Sequence, residues 1–253
     1  MNEFKGKTAL VTGASRGIGA ATAIAYAKAG AKRVIVQYNS YPEGADATVA
    51  AIREAGADGL ALHADLTTDE GIETFLAALA ANAPNVDILV NNAGSLLERR
   101  TLVNYTPDLY DRIMNLNVKS LWFISKAVVP HMAAQKWGVI VNVSSIAARN
   151  GGGPGATMYA AAKAAVAAMT KGMAKELAPQ GIRVNAISPG TVDNHFHEVF
   201  STPEILAGVV KATPAGRLGT NEDMANSILF LTSEAASYVI GQTLEINGGF
   251  YMV

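Results

Sequence analysis

The sequence predicts an α/β protein with a doubly wound, Rossmann-type fold, in which about seven parallel strands carry helices on both faces. Short β-rich runs alternate with helical patterns along the whole chain. Most of these runs are continuous Val, Ile and Leu stretches, which are typical of parallel strands buried on both faces. A glycine-rich turn follows the first strand immediately, as it does in dinucleotide-binding folds.

The predicted elements follow one another in a regular order. Strands are predicted at 8–12, 33–38, 59–64, 87–92, 138–144, 182–188 and 242–247. Helices are predicted at about 17–29, 43–55, 69–82, 107–136, 157–178 and 222–232. Because no linker, repeat or low-complexity segment interrupts them, we expect a single domain over residues 1–253. The stretch at about 189–221 is expected to be irregular and to form a substrate lid.

Composition excludes several classes of function. Lys plus Arg total 20 and Asp plus Glu total 21, for a net charge of −1 without long blocks of either sign. Nucleic acid and anionic membrane surfaces are therefore not expected as partners. The chain has no Cys, which excludes disulfides, zinc–thiolate sites and thiol catalysis. With no signal-peptide pattern and no run of 18 apolar residues, we expect a cytoplasmic protein without a membrane span.

The glycine-rich turn "TGASRGIG" indicates a phosphate-binding site. Its glycines are Gly13, Gly17 and Gly19, a GxxxGxG spacing. Glycine permits the tight strand-to-helix turn and lets the backbone approach a pyrophosphate at the helix N-terminus. The turn lacks the Gly-Lys-Ser/Thr ending of nucleotide-hydrolysing loops, so the sequence does not indicate an ATPase or GTPase.

The end of the second strand distinguishes between the two nicotinamide coenzymes. An NAD site commonly places an acid there, where it holds the ribose 2′-hydroxyl. This chain instead has Gln37, Tyr38, Asn39 and Ser40, and Arg16 lies within the glycine turn. Because a guanidinium can pair with a 2′-phosphate, the pattern predicts NADP(H).

Tyr159 and Lys163 lie one turn apart on the same face of an alanine-rich helix. By themselves they are an ordinary polar pair on a helix rim. The segment 160–170 carries only one charge, that of Lys163. A helix that is apolar all round is expected to be buried all round, so its second face is predicted to meet another subunit of a homo-oligomer.

Several motifs occur in a fixed order: TGxxxGxG at 12–19, "ADL" at 64–66, "NNAG" at 91–94, "NV" at 117–118, "NVSS" at 142–145, "YAAAK" at 159–163 and "SPG" at 188–190. Together with the terminal "GQTLEINGGFYMV", they resemble the short-chain dehydrogenase/reductase family over essentially the whole chain. Within that family the chain looks most like the 3-oxoacyl-[acyl-carrier-protein] reductases, with sugar and polyol dehydrogenases as neighbours. The resemblance implies a tetramer.

The resemblance also implies a catalytic tetrad. Tyr159 would be the acid in carbonyl reduction and the base in alcohol oxidation, and Lys163 would hold the nicotinamide ribose and lower the phenol pKa. Ser145 would bind the substrate oxygen, with Ser144 as the competing serine. Asn117 would hold a water that links Lys163 to solvent.

The same resemblance implies which residues contact the coenzyme. They are Gly13, Ser15, Arg16, Gly17, Ile18, Gly19, Tyr38, Asn39, Ser40, Asp65, Leu66, Asn92, Ala93, Gly94, Tyr159, Lys163, Pro189, Gly190, Thr191 and Val192. The chain departs from the family in two places. Asn194 stands near the position of a Thr that often bonds the carboxamide, and the loop between Ser145 and Tyr159 is about one residue longer than usual.

The substrate is left open, although it is expected to be a small carbonyl or alcohol. In the reductases that the chain resembles, a basic patch beside the active-site cleft docks the acidic carrier protein. The corresponding places here hold Lys136 but also Gln180 and Glu176, so only weak electrostatic attraction of an acidic carrier protein is expected.

Four residues that resemble metal ligands lie on one short loop: Asp193, His195, His197 and Glu198. They are interpreted as lid residues, not as a metal site. The alternative function is a non-catalytic NADP(H)-binding sensor or scaffold. The presence of Tyr159, Lys163 and an intact glycine turn argues against it.

Overall fold

The computed structural model describes residues 3–253 and contains one sheet of seven parallel strands in the order β3-β2-β1-β4-β5-β6-β7. The strands are β1 (Thr8–Val11), β2 (Arg33–Tyr38), β3 (Asp58–His63), β4 (Ile88–Asn91), β5 (Gly138–Val143), β6 (Ile182–Pro189) and β7 (Thr243–Ile246). The helices are α1 (Gly17–Lys28), α2 (Pro42–Glu54), α3 (Asp69–Asn82), α4 (Pro107–Met114), α5 (Ser120–Ala134), α6 (Ala147–Asn150), α7 (Thr157–Leu177), α8 (His195–Phe200), α9 (Pro203–Ala212) and α10 (Asn221–Thr232). This confirms the predicted doubly wound α/β fold.

The sheet is buried on both faces, which explains the continuous apolar runs. Successive residues along β1 and along β4 belong to different apolar clusters, because successive side chains point to opposite faces of the sheet. Leu10 and Val11 of β1 are an example. The cluster on one face includes residues of α1, α2 and α10, and the cluster on the other includes residues of α3, α5 and α7. Every residue of β4 and β5 is buried.

The strand order reverses at β1, which pairs with β2 on one side and β4 on the other. A crevice forms at such a switch point, outside the carboxyl ends of the strands. The chain leaves β1 at the glycine turn, β4 at Asn92 and β5 at Ser144, so all three motifs meet at this edge.

Two predicted elements differ from the structure. The single helix expected at 107–136 is divided by a π-helical turn, Asn115–Lys119, that contains Asn117. The lid segment 189–221 was predicted to be irregular, but it contains α8 and α9. Asn194 caps α8 and Thr202 caps α9, with Pro203 at its first position. Asn194 and the Thr202–Pro203 pair are helix-start signals within the sequence itself, which explains why the segment is helical.

No helix within residues 3–253 combines the length and apolar character needed to cross a membrane.

Candidate active site

Loops at the carboxyl edge of the sheet surround one large cavity, with a volume of about 800 Å³. We call it the catalytic cavity. The glycine turn lies at one end, which we call the coenzyme end. The loop after β5, the start of α7 and the lid segment enclose the rest, which we call the substrate end.

The glycine turn is shaped by close backbone packing. Gly13 and Gly17 have φ values of 62° and 61°, which L side chains rarely adopt. A Cβ on Gly13 would lie 2.9 Å from Ala93 Cα, and one on Gly19 only 2.4 Å from Gly13 O. Gln37 supports the turn, because its Oε1 accepts from Gly13 N at 2.9 Å while its Nε2 donates to Ala64 O at 2.9 Å. The turn thus presents bare backbone at the start of α1, which fits a pyrophosphate.

Arg16 lies beside this turn and fits a 2′-phosphate. Its guanidinium stacks on the Tyr41 ring at 4.1 Å, which orients the planar group. Asn39 and Ser40 line the same part of the catalytic cavity.

Tyr159 and Ser145 both line the cavity wall, and Ser145 is close enough to Tyr159 to act on the pKa of its phenol. Lys163 is buried below them, and its Nζ donates to Val143 O at 2.8 Å. Ser144 Oγ donates to Lys163 O at 2.8 Å and so fixes β5 to α7. This arrangement favours Ser145 over Ser144 as the serine that faces a substrate.

The ionisation of the pair differs from the sequence-based expectation. Burial raises the pKa of Tyr159 to about 12, and the hydrogen bond from Ser145 only partly offsets that effect. Burial also lowers the pKa of Lys163 to about 8. In the chain alone the phenol pKa therefore shifts in the opposite direction to the one predicted, because desolvation is the largest cause, and the Lys163 Nζ lies 5.7 Å from the ring centre.

Asn117 is buried behind Lys163, within the π turn. Its Nδ2 donates to Ser95 O at 2.8 Å and to Ile113 O at 2.9 Å, and its buried Oδ1 has no partner within residues 3–253. A Cβ on Gly94 would lie 2.7 Å from that oxygen and 2.6 Å from Lys163 Nζ. Only glycine at 94 leaves room beside these two polar atoms.

Most of the predicted site residues line the catalytic cavity. They are Gly13, Ser15, Arg16, Gly17, Ile18, Asn39, Ser40, Leu66, Asn92, Ala93, Gly94, Ser145, Tyr159, Lys163, Pro189, Gly190, Thr191 and Val192. Gly19 and Asn117 lie behind this wall, in the packing roles described above.

Tyr38 and Asp65, two of the predicted coenzyme contacts, do not line the catalytic cavity. The Tyr38 ring packs at a tilt against the His63 ring, with 5.4 Å between their centres, because residue 38 points to the opposite face of β2 from Gln37. The Asp65 carboxylate accepts from Thr67 N at 2.9 Å, so it shapes the turn, while Leu66 and Thr67 line the cavity.

Three contributors to the site were missed by the sequence analysis. Thr12 Oγ1 accepts from the backbone N–H groups of Asn92 and Ala93, at 3.0 and 2.9 Å, and joins the ends of β1 and β4. Gln37 supports the glycine turn, and Arg99 reaches the cavity from the loop after β4. Thr12 and Gln37 lie at strand ends beside the glycine turn, and this position is the sequence signal that marks them as contributors to the site. Nothing in the sequence pattern marks Arg99.

The lid segment places aromatic rings over the catalytic tyrosine candidate. The Phe196 ring lies 5.9 Å from the Tyr159 ring and contacts those of His197 and Phe200 at 5.1 and 5.0 Å. Asn194 Oδ1 accepts from Phe196 N, and its Nδ2 donates to Asn221 Oδ1 at 3.2 Å. Asn194 therefore anchors the lid segment, and both the oxygen and the nitrogen of its side-chain amide are used in these hydrogen bonds.

The histidines of the lid segment have local partners. His195 pairs with Glu198 at 3.1 Å, and His197 Nδ1 lies 3.0 Å from Ser201 Oγ. Residues 3–253 contain no group of three or more His, Asp or Glu side chains arranged to hold a metal ion.

Known proteins resemble this chain over nearly its full length. A family model described as enoyl-(acyl carrier protein) reductase matches residues 13–251. The 3-oxoacyl-[acyl-carrier-protein] reductase FabG of Escherichia coli K12 is 39% identical over 250 residues, which cover 99% of each chain. That of Staphylococcus aureus Mu50 is 36% identical over 246 residues, 97% of this chain and 98% of the relative.

Solved structures resemble it equally well. A putative NAD(P)-dependent gluconate 5-dehydrogenase from Beutenbergia cavernae, with bound NADP, superposes with a TM-score of 0.90 at 36% identity, covering 98% of both chains. A 7α-hydroxysteroid dehydrogenase complexed with NADH has the same TM-score and identity, covering 98% of this chain and 95% of its own. The chain belongs to the short-chain dehydrogenase/reductase family of oxidoreductases.

Proposed function

We propose that the protein is an NADP(H)-dependent oxidoreductase that interconverts a carbonyl and a secondary alcohol at Ser145 and Tyr159. The observation that carries the proposal is the Ser145–Tyr159 hydroxyl pair, backed by buried Lys163, in the same cavity as a glycine turn flanked by Arg16. The glycine turn, Arg16 and Lys163 would hold NADP(H), which would supply or accept the hydride.

The protein side chains manage the proton and the developing charge. In the reductive direction Tyr159 donates its O–H proton to the carbonyl oxygen, and Ser145 donates a hydrogen bond to the same oxygen. Lys163, with a pKa of about 8, exchanges protons near neutral pH and passes them towards Tyr159. Asn117 Oδ1 and Lys163 Nζ, both beside Gly94, are the polar atoms through which a proton from solvent reaches this site.

The raised pKa of Tyr159 means that the phenol is protonated in the chain alone. The protonated phenol is the form that donates a proton in carbonyl reduction, whereas alcohol oxidation requires the phenolate, which burial disfavours.

The substrate is proposed to be a small molecule that is free or carried as a simple thioester. Lys136 and Gln180, at the places that correspond to the carrier-docking patch of the similar reductases, precede β5 and β6 and so lie at the amino edge of the sheet, opposite the catalytic cavity. This corrects the expectation that they flank the chain's own active site. A carrier could meet them near a cavity only where a second subunit packs antiparallel along α7.

A homotetramer is proposed because α7 has an exposed face of small residues. Ala161, Ala164, Ala168 and Gly172 are exposed in the single chain and lie on one side of the helix. Trp122 on α5 is 44% exposed. Apolar faces of this kind are covered in oligomers.

A cytoplasmic location is proposed on the basis of composition.

The test is a panel of substrates assayed with NADPH at 340 nm. It contains acetoacetyl thioesters with and without the carrier protein, small ketones, keto sugars and a crotonyl thioester. We expect turnover of carbonyls, and kcat/KM for the free thioester at least comparable with that for the carrier-bound form. Turnover of the crotonyl thioester alone would establish reduction of a carbon–carbon double bond instead. NADPH binding without turnover of any compound would favour the non-catalytic alternative.

A further inference from the structure

Basic side chains line the catalytic cavity, and among the described residues no acidic side chain does. Within residues 3–253, Arg16, Arg99, Lys163, His195 and His197 line it, and no Asp or Glu does. The proposed function assigns Arg16 to the coenzyme phosphate and Lys163 to the ribose and the proton path. The proposed function gives no role to the third cation, Arg99, which neither binds the coenzyme nor takes part in the hydride transfer.

Arg99 lies at the substrate end of the catalytic cavity. Its Nε donates to Phe200 O at 3.2 Å, and its Nη1 donates to Pro154 O at 2.8 Å. Phe200 ends α8 in the lid segment, and Pro154 lies in the loop before α7, so these two walls flank Tyr159. A guanidinium has five N–H groups, of which these bonds use two. The remaining three, including both on Nη2, are available to a ligand.

His197 is a second donor on the same side. Its ring packs edge-on against Phe196, and its Nδ1 is engaged with Ser201, which leaves Nε2 to the cavity it lines. The pKa of His197 is lowered, first by burial and then by the charge of Arg99, while Asp193 acts in the opposite direction. The field of Arg99 therefore reaches His197.

We infer that this enzyme selects carbonyl or hydroxyl substrates that carry a carboxylate, and that Arg99 is the residue that determines this specificity. The inference rests on the proposed function. A planar guanidinium matches a carboxylate through two parallel hydrogen bonds. One guanidinium beside a neutral imidazole balances the single charge of a carboxylate better than the double charge of a phosphate. A neutral substrate would gain nothing from Arg99.

A purely structural role for Arg99 makes a different prediction. As a latch between the lid segment and the loop before α7, it would affect all substrates equally. Arg99 is exposed at the mouth of the cavity, so its contribution to binding is partly screened.

The first experiment measures kcat/KM for acetoacetate and for ethyl acetoacetate, which share the reacting carbonyl and differ in the carboxylate. We expect the wild type to prefer acetoacetate, and Arg99→Gln to lower the ratio of the two values by roughly tenfold, the effect of losing a partly screened charge-assisted hydrogen bond. Arg99→Lys should retain part of the ratio.

Arg100→Gln is the matched control. The Arg100 guanidinium pairs with Glu98 and does not line the catalytic cavity, so this variant should keep the wild-type ratio. An equal loss with both substrates in Arg99→Gln would establish the latch and overturn the inference. An unchanged ratio would overturn it as well.

The second experiment does not depend on turnover. Calorimetry compares binding of L-threonate and L-threitol, which share four carbons and the hydroxyls on C2, C3 and C4 but differ at C1, a single carboxylate in one and an alcohol in the other, with glycerol 3-phosphate as a third ligand. We expect threonate to bind at least tenfold more tightly than threitol in the wild type but not in Arg99→Gln. If no carbonyl is turned over, the proposed function fails while this binding result still tests the anion site. Equal binding of threonate and threitol, or a clear preference for the phosphate, would overturn the carboxylate assignment.

Discussion

The two ends of the catalytic cavity are built by different means. At the coenzyme end, strand ends and glycines pack backbone against backbone, with Gly13 and Gly19 in contacts that admit no side chain. At the substrate end, side chains tie irregular segments together: Arg99 bonds two carbonyls, and Asn194 joins α8 to Asn221. Val199 and Ile205 in the lid segment are 56% and 55% exposed.

This difference indicates how each end responds to mutation. Backbone packing cannot relax, so a methyl group added at the coenzyme end is expected to disrupt coenzyme binding and folding together. Side-chain bonds can be exchanged one at a time, so changes at the substrate end are expected to alter selectivity while the fold survives.

The largest expected effect is that of Tyr159→Phe, which removes only the hydroxyl at the junction of the two ends. Turnover should fall by about 10² to 10⁴, the usual contribution of a general acid. The NADPH dissociation constant, measured by fluorescence, should stay within a few-fold. A variant that retains most of its activity would show that Tyr159 is not the acid.

Gly19→Ala tests the backbone packing of the coenzyme end. The added Cβ would lie 2.4 Å from Gly13 O and 2.6 Å from Asn92 Nδ2, and the first of these is backbone that cannot move independently. We expect a loss of roughly 1–3 kcal/mol in the free energy of unfolding, together with weaker NADPH binding. Denaturant titration and coenzyme titration measure the two effects. Wild-type stability would mean that the turn is more plastic than its geometry implies.

The sequence predicts the coenzyme end of the cavity better than the substrate end. The strands and most helices were placed within a residue or two, because continuous apolar runs and the glycine turn are local signals. The coenzyme-end residues follow from motifs at strand ends. Arg99 and Phe196 could not be found in this way, since tertiary packing brings residues 99, 154 and 200 together. Nor does the sequence show that burial raises the Tyr159 pKa.

The buried ammonium of Lys163 predicts a pH-dependent stability. Its pKa falls from 10.5 to about 8 on folding, so between these values the unfolded chain binds more protons than the folded one. Stability relative to Lys163→Met should therefore rise by up to about 3 kcal/mol from pH 8 to pH 10.5 and change little below pH 8. Denaturant unfolding of both proteins at several pH values measures this difference. A difference that is flat across the window would mean that Lys163 is solvated in the folded chain.

Arg16→Ala tests how the coenzyme end distinguishes NADPH from NADH. Only NADPH has a 2′-phosphate to lose, so its dissociation constant should rise by roughly tenfold to a hundredfold while that of NADH changes little. Tyr41→Leu removes the ring on which Arg16 stacks and should give a smaller effect in the same direction. Equal weakening of both coenzymes would assign Arg16 to the shared pyrophosphate.

Gly208→Ala is the counterpart of Gly19→Ala at the substrate end and has the smallest expected effect. Gly208 lies within α9, and a Cβ built on it meets no atom within 4 Å. Since Ala is favoured over Gly inside a helix, α9 should gain about 0.5–1 kcal/mol. Thermal unfolding should show a slightly higher Tm, and kcat/KM for a small carbonyl should remain near the wild-type value. A stability loss as large as that of Gly19→Ala would show that the substrate end is packed as tightly as the coenzyme end, and the comparison between the two ends would fail.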